Sequence, residues 1–332
     1  MIIKFFTQLI LATAFVPFFP SDVGELQRQT LSVEQGVFEP SFDFLEVYQA
    51  MSFHLPESSN RQQAPINVEP TSLGVVTSAQ SAIVIDRASH EVLFEKNIHQ
   101  PRSIGSITKL MTAFVFLKTQ PDVSSHVVMT SDDVRLGAAV HIPVGETVTV
   151  RNLLEASLVG SDNSSTAALA RLSGFTEGDF VAKMNEMAVE FGMQQTTFAD
   201  TTGLSPKNVS VVTDLVLLFD HALENPLIAE ITQKSSIAIA GSSGRVYTVQ
   251  STDELLGTFI DQPPYDILGA KTGFLPEAGY CLGTVFSHEN EGQIVIVVLG
   301  SETKEGRFQD AKSLAVWTYE TFDWPTSSTR SL

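Results

Sequence analysis

From Ser81 onward, short apolar runs alternate with amphipathic stretches. Ser81-Ala-Ile-Val-Ile-Asp86 and Glu91-Val-Leu-Phe-Glu-Lys96 are strand-like runs separated by the polar turn Arg87-Ala-Ser-His90, which predicts a hairpin. The spacing then becomes helical: Leu110, Met111, Phe114 and Leu117 predict a helix beginning near Ser106. Residues 148–159 and 164–172 predict two further helices joined at Gly160-Ser-Asp-Asn163, with Gly174 closing the second. Phe180, Met184, Met187 and Phe191 fall on one face of another helix, which Gly192 stops. Residues 213–223 complete the helical block, ending near Asn225-Pro226. Residues 237–240 and 246–250 flank Gly241-Ser-Ser-Gly244 as a second hairpin. Three strands follow, at 267–271, 280–287 and 294–299, and residues 311–322 predict a closing helix.

Strands, a block of helices, more strands joined by short turns, and a last helix predict an α+β fold. Its antiparallel sheet is flanked by helices, unlike the parallel sheet of a doubly wound fold. The helices between about 120 and 230 are expected to form a mostly helical subdomain, with a cleft where it meets the sheet.

Residues 1–78 follow a different pattern. Lys4 precedes an apolar run from Phe5 to Phe19, which suits the h-region of a signal peptide better than a full span of about 20 residues. The same run also suits an uncleaved, tilted N-terminal anchor. Pro17 and Pro20 argue against a buried helix there. Residues 21–78, rich in proline and glutamine, read as a linker. Within it Phe38, Phe42, Leu45, Tyr48 and Met51 recur at helical steps, predicting a short helix that Ser41 caps. The expected organisation is thus a leader at 1–20, a linker at 21–78, a globular domain at 79–324 and a tail at 325–332.

Composition narrows the chemistry. With 20 basic and 38 acidic residues the net charge is −18, which argues against nucleic acid and anionic lipid surfaces as partners. Membrane contact is expected only through the leader. One cysteine, Cys281, excludes an internal disulfide and a thiolate zinc site, and it reads as a buried structural thiol. The seven histidines show no i,i+4 pair, so no metal site is expected. An exported chain with one cysteine fits a bacterial envelope protein that does not rely on disulfides.

Three short motifs carry candidate chemistry. In Ser106-Ile-Thr-Lys109, positions i and i+3 share a helix face, so hydroxyl and amine can meet. A serine needs a base to become a nucleophile, and lysine serves only when its pKa falls toward neutrality. In Ser161-Asp-Asn163, Ser161 can relay a proton and the Asn163 amide can hold a carbonyl; alone, the motif equally reads as a polar turn with Asn163 capping a helix. Lys271-Thr-Gly273 follows an apolar strand. A cation and a hydroxyl at a strand's end suit a carboxylate, Gly273 lets a ligand approach the backbone, and the Phe274 amide can face an oxyanion. Singly each motif is weak. Together and in this order they form the serine–lysine, Ser-Asp-Asn and Lys-Thr-Gly signature of class A β-lactamases and penicillin-binding proteins.

The surrounding text narrows this likeness. Residues 103–113 around Ser106, 191–204 (Phe-Gly-Met-Gln-Gln-Thr-Thr-Phe-Ala-Asp-Thr-Thr-Gly-Leu) and 269–282 around Lys271 resemble the D-alanyl-D-alanine carboxypeptidases, the low-molecular-mass penicillin-binding proteins. The likeness spans about residues 79–324. It implies a DD-peptidase/β-lactamase-like fold and a cofactor-free serine peptidase acting on peptidoglycan stem peptides that end in D-Ala-D-Ala. β-Lactams would be its covalent inhibitors. It also implies Ser106 as nucleophile, Lys109 as base, and Ser161 and Asn163 lining the cleft. Lys271 and Thr272 would bind the terminal carboxylate, with Arg307 assisting. The amides of Ser106 and Phe274 would form the oxyanion hole.

Asp162 departs from the pattern, since these carboxypeptidases usually have glycine there. Many relatives carry an additional β domain and a C-terminal anchor, for which the residues after Phe322 leave no room, so attachment is expected at the N-terminus. A DD-endopeptidase would use the same residues. A β-lactamase would need a deacylating glutamate, but Glu177, Glu186 and Glu190 all fall in or at the start of a predicted helix. An inactive wall-binding homologue would not need all three motifs intact.

Overall fold

The computed structural model describes residues 63–325 apart from 138–139. The leader at 1–20, the helical window at 38–51 and residues 326–332 lie outside the described residues. Among the described residues no helix is long and apolar enough to cross a membrane.

The centre is a five-stranded antiparallel sheet built from β1 (Ser81–Asp86), β2 (Val92–Lys96), β3 (Tyr265–Leu275), β4 (Gly279–His288) and β5 (Gln293–Ser301), in the order β3-β4-β5-β1-β2. The hairpin pairings follow from the short turns. The β5–β1 pairing joins the two ends of the domain, with Val297 opposite Ile83. Alternate side chains feed two cores. Ile83, Ile85, Val285, Val295 and Val297 face the helical side. Ala82, Val84, Phe286, Ile294 and Ile296 face the opposite side. Both faces are thus covered, which is why β1 reads as an unbroken apolar run.

The helices are α1 (Thr108–Lys118), α2 (Val150–Leu158), α3 (Asn163–Leu172), α4 (Glu177–Glu190), α5 (Val212–Glu224), α6 (Pro226–Thr232) and α7 (Lys304–Thr321). The first six lie on one side of the sheet and α7 on the other. Met111 and Phe116 of α1 are buried among Leu153, Leu169, Phe180 and Phe219, each such side chain contributing about 1.5–3 kcal/mol of transfer free energy. This is the expected α+β arrangement, with four differences. A helix, α6, follows where residues 213–223 were to end the block: Asn225 caps it through Leu227 N and Ile228 N, and Pro226 fits its first turn. The last helix starts at Lys304, not 311, because Thr303 Oγ1 accepts from Gly306 N. Strand β3 continues to Leu275, so Lys271-Thr-Gly273 lies within the strand and not at its end. The last difference concerns the linker. Ile66–Asn67 pairs with Phe322–Asp323, Trp317 Nε1 donates to Ser72 Oγ at 2.8 Å, and Ser78 N donates to Asp310 Oδ1 at 2.8 Å. Residues 66–78 therefore lie against α7 as part of the fold.

Candidate active site

Ser106 sits in a 3-10 turn, Gly105–Ile107, that runs directly into α1. Gly105 has φ +51, and a Cβ there would stand 2.8 Å from Phe274 N. Its lack of a side chain lets the turn press against β3. Lys109 follows one turn later, fully buried. Its Nζ lies 2.7 Å from Ser106 Oγ, 2.7 Å from Asn163 Oδ1 and 2.6 Å from Thr202 O. Three partners use all three positions of an amino group. Burial pushes the Lys109 pKa down to about 7, opposed by the charges of Asp162 and Asp200. An amine of that pKa can exist neutral near physiological pH and accept the hydroxyl proton of Ser106.

The second motif occupies the α2–α3 junction. Ser161 has φ +56 and its Oγ accepts from Lys271 Nζ at 3.0 Å. Asp162 rather than Asn163 caps α3: its Oδ1 accepts from Ser164 N at 2.8 Å, and its Oδ2 accepts from His141 N at 2.9 Å. The departure from glycine thus ties the junction to the loop that carries His141. Asn163, freed from capping, turns its amide oxygen to Lys109.

The third motif forms the opposite wall. Lys271 is buried and also donates to Thr272 O at 3.1 Å. Burial and the neighbouring charges of Lys109 and Arg307 hold its pKa well below the ordinary lysine range. The Thr272 and Thr252 hydroxyls meet at 2.6 Å. Gly273 was expected to admit a ligand. It lines the cleft, but its missing Cβ also makes room for the Ile104 carbonyl behind it. Arg307, on α7, is buried, donates to Gly273 O at 3.1 Å and lies over the Tyr280 ring. The half-exposed Phe274 ring stacks on Tyr280 at 4.4 Å. Cys281 is buried behind this wall and its thiol is pushed up to about 11 by burial, as expected of a structural thiol.

These groups surround one cleft of about 740 Å³ lined by Ser106, Ser161, Asn163, Thr272, Phe274 and Arg307. A larger hollow of 880 Å³ beside Arg87 and Trp324 holds none of them. The structure thus brings all nine predicted residues together around one cleft. It adds residues that the motifs did not flag. Asp200 accepts from the backbone N–H groups of Thr202, Gly203 and Ser205, and thereby fixes the Thr202 carbonyl on Lys109. Its signal was Asp-Thr-Thr-Gly, a side chain bonding its own following backbone. Thr252 and His141, which also line the cleft, had no local signal.

A two-faced antiparallel sheet with serine, two lysines and arginine converging on one cleft is the architecture of the penicillin-recognising serine peptidases. A family model described as D-alanyl-D-alanine carboxypeptidase matches residues 67–303, and the chain belongs to that family. It is a serine peptidase hydrolase. The D-alanyl-D-alanine endopeptidase of Haemophilus influenzae is 33% identical, covering 66% of this chain and 74% of that protein. A D-alanyl-D-alanine carboxypeptidase of Bacillus subtilis is 29% identical, covering 73% and 63%. Among solved structures, the Streptomyces K15 DD-transpeptidase aligns with a TM-score of 0.69 at 25% identity, over 75% of this chain and all of that one. Penicillin-binding protein D2 of Listeria monocytogenes in its ampicillin-bound form aligns with a TM-score of 0.63 at 31% identity, with the same coverage.

Proposed function

We propose that the protein is an exported DD-carboxypeptidase that trims D-Ala-D-Ala stem peptides of peptidoglycan through an acyl-enzyme on Ser106. Neutral Lys109 takes the Ser106 proton as Oγ attacks the penultimate carbonyl. The oxyanion is stabilised by the amides of Ser106 and Phe274. Ser161 relays that proton from Lys109 to the departing nitrogen, so D-alanine leaves with Lys109 again neutral and Ser161 again protonated. Water then attacks the ester and gives a proton to Lys109, which returns it to Ser106 Oγ as the ester bond breaks. Asn163 holds the substrate carbonyl and Lys109 together. Lys271, Thr272 and Arg307 bind the terminal carboxylate, with Gly273 and Phe274 forming the adjoining wall. A β-lactam carbonyl would enter the same reaction. Its adduct should persist, because the glutamates that follow the Ser161 motif, Glu177, Glu186 and Glu190, all lie in α4 and none of them lines the cleft.

The observation that carries this reading is the Lys109 amine, buried and within 2.7 Å of Ser106 Oγ. Cleavage of a cross-link would use the same groups, and relatives bear both names. Digestion of purified free pentapeptide and cross-linked muropeptides, followed by chromatography, separates the two. Free D-alanine from the pentapeptide supports the carboxypeptidase; loss of cross-links with the pentapeptide untouched overturns it.

A further inference from the structure

Two backbone segments set the relation of nucleophile and base: the turn Gly105–Ile107, which carries Ser106, and the loop at 200–205, whose Thr202 carbonyl holds Lys109. Asn208 is bonded to both. Its main-chain carbonyl accepts from Ile104 N at 3.1 Å, immediately ahead of the turn. Its side-chain Oδ1 accepts from Ala199 N at 2.7 Å and from Asp200 N at 3.2 Å, and so holds the start of the loop. Its own N–H donates to Ser205 O at 3.1 Å, which closes the end of the loop. Asp200, held in this way, accepts from Thr202 N and Gly203 N at 2.6 Å each, and Thr202 O reaches Lys109 Nζ at 2.6 Å. Directly after Asn208, Val209–Ser210 pairs with Arg102–Ser103, the short strand that leads to the nucleophile. Asn208 is fully buried, and among the described residues its Nδ2 has no hydrogen-bond partner. A buried donor without a partner is costly. A leucine of similar size would avoid that cost, so what the amide contributes here is its oxygen.

We infer that Asn208 is a positioning residue for acylation: it fastens the loop that holds Lys109 to the turn that carries Ser106, so that amine and hydroxyl stay 2.7 Å apart. The inference rests on the reading of Ser106 as nucleophile and Lys109 as base. Without Oδ1, the amides of Ala199 and Asp200 lose their acceptor inside the protein and must turn to find another. Asp200 moves with its own N–H, and the Thr202 carbonyl moves with Asp200. A shift of about 1 Å there is enough to slow a reaction that depends on alignment. Ligand binding is set elsewhere. Lys271, Thr272 and Arg307 belong to β3 and α7, and their hydrogen bonds run to Ser161, Thr252 and Gly273. Asn208 therefore acts on the rate of acylation and not on the affinity that precedes it.

Stopped-flow acylation with a fluorescent penicillin over a range of ligand concentrations separates the dissociation constant of the first complex from the acylation rate constant. Asn208→Leu fills the site but offers no acceptor. It should lower the acylation rate constant by about tenfold or more, the size expected for loss of one hydrogen bond to a charged group, and leave the dissociation constant unchanged. Asn208→Ala should repeat this result with a smaller side chain. Asn208→Asp keeps an accepting oxygen in the same place whether or not it is ionised, and should acylate at close to the wild-type rate. Thermal melts set a temperature at which every variant is folded. Wild-type acylation by Asn208→Leu and Asn208→Ala, or a slowing by Asn208→Asp equal to theirs, overturns the role of Asn208. If labelling survives Ser106→Ala in the otherwise wild-type protein, the reading of the nucleophile fails first and this inference with it.

Discussion

Gly203→Ala is a sharp test of how the Lys109 amine is held. Gly203 has φ +89, and a Cβ there would stand 2.9 Å from Ser106 N and overlap the Gly105 carbonyl, where ordinary contact begins at 3.4 Å. The 200–205 loop must therefore back away by about 1 Å, a displacement large enough to matter in an active site. The Thr202 carbonyl, now 2.6 Å from Lys109 Nζ, would pass beyond hydrogen-bond range. Loss of one buried hydrogen bond to a charged group costs about 1.5–3 kcal/mol, or roughly 10- to 150-fold in the rate constant for acylation. The left-handed backbone adds about 1–2 kcal/mol against folding. Gly192→Ala separates the two effects, because Gly192 shares the backbone conformation at φ +78 but its Cβ would meet only Leu217 at 3.8 Å. Stopped-flow acylation with a fluorescent penicillin, alongside thermal melts, should show both variants destabilised and only Gly203→Ala slow. Wild-type acylation by Gly203→Ala, or an equal slowing by Gly192→Ala, would refute the reasoning.

Two further outcomes follow from titrations. Lys109 is held to about 7 by burial, and only its neutral form accepts the serine proton. The second-order acylation rate should therefore rise with pH through about 7 and then level; a flat profile from pH 5 to 9 would contradict this. Glu146 accepts from Ser243, Tyr247 and Ser242, whose hydrogen bonds lower its pKa from 4.5 to about 2 and clasp the hairpin Ser236–Ala240 and Val246–Gln250 to the helical side. A lowered carboxyl pKa stabilises the fold above the unfolded value and loses that contribution as pH falls through the folded one. Glu146→Ala should thus melt below wild type at pH 7, with the gap closing between pH 4.5 and 2. A gap that does not change with pH would mean that the clasp does not depend on charge.

Strand and helix identities were legible because their periods are local: β1 and β2 matched their apolar runs, and α4 its phenylalanine and methionine face. Within each motif the spacing made local geometry legible, as with Ser106 and Lys109 one turn apart, whereas Arg307 lies outside all three motifs and was expected only from the resemblance. Pairings between distant segments were not legible. Nothing in Ile66–Asn67 announces Phe322–Asp323 as its partner, and the β5–β1 pairing depends on the whole fold closing. Asn163 shows the same limit inside the site. Its local sequence suits a cap, and only the presence of Asp162 one residue earlier releases it toward Lys109. Thr252 and Thr272 come from separate segments of the chain, so their contact at 2.6 Å appears only in three dimensions.

The central claim is that Ser106, served by Lys109, forms the acyl-enzyme. Intact-protein mass spectrometry after benzylpenicillin treatment, with peptide mapping, tests it directly. The account predicts one adduct, mapped to Ser106, that persists for minutes and is absent from a folded Ser106→Ala variant. An adduct on another residue, or labelling of Ser106→Ala, would contradict it.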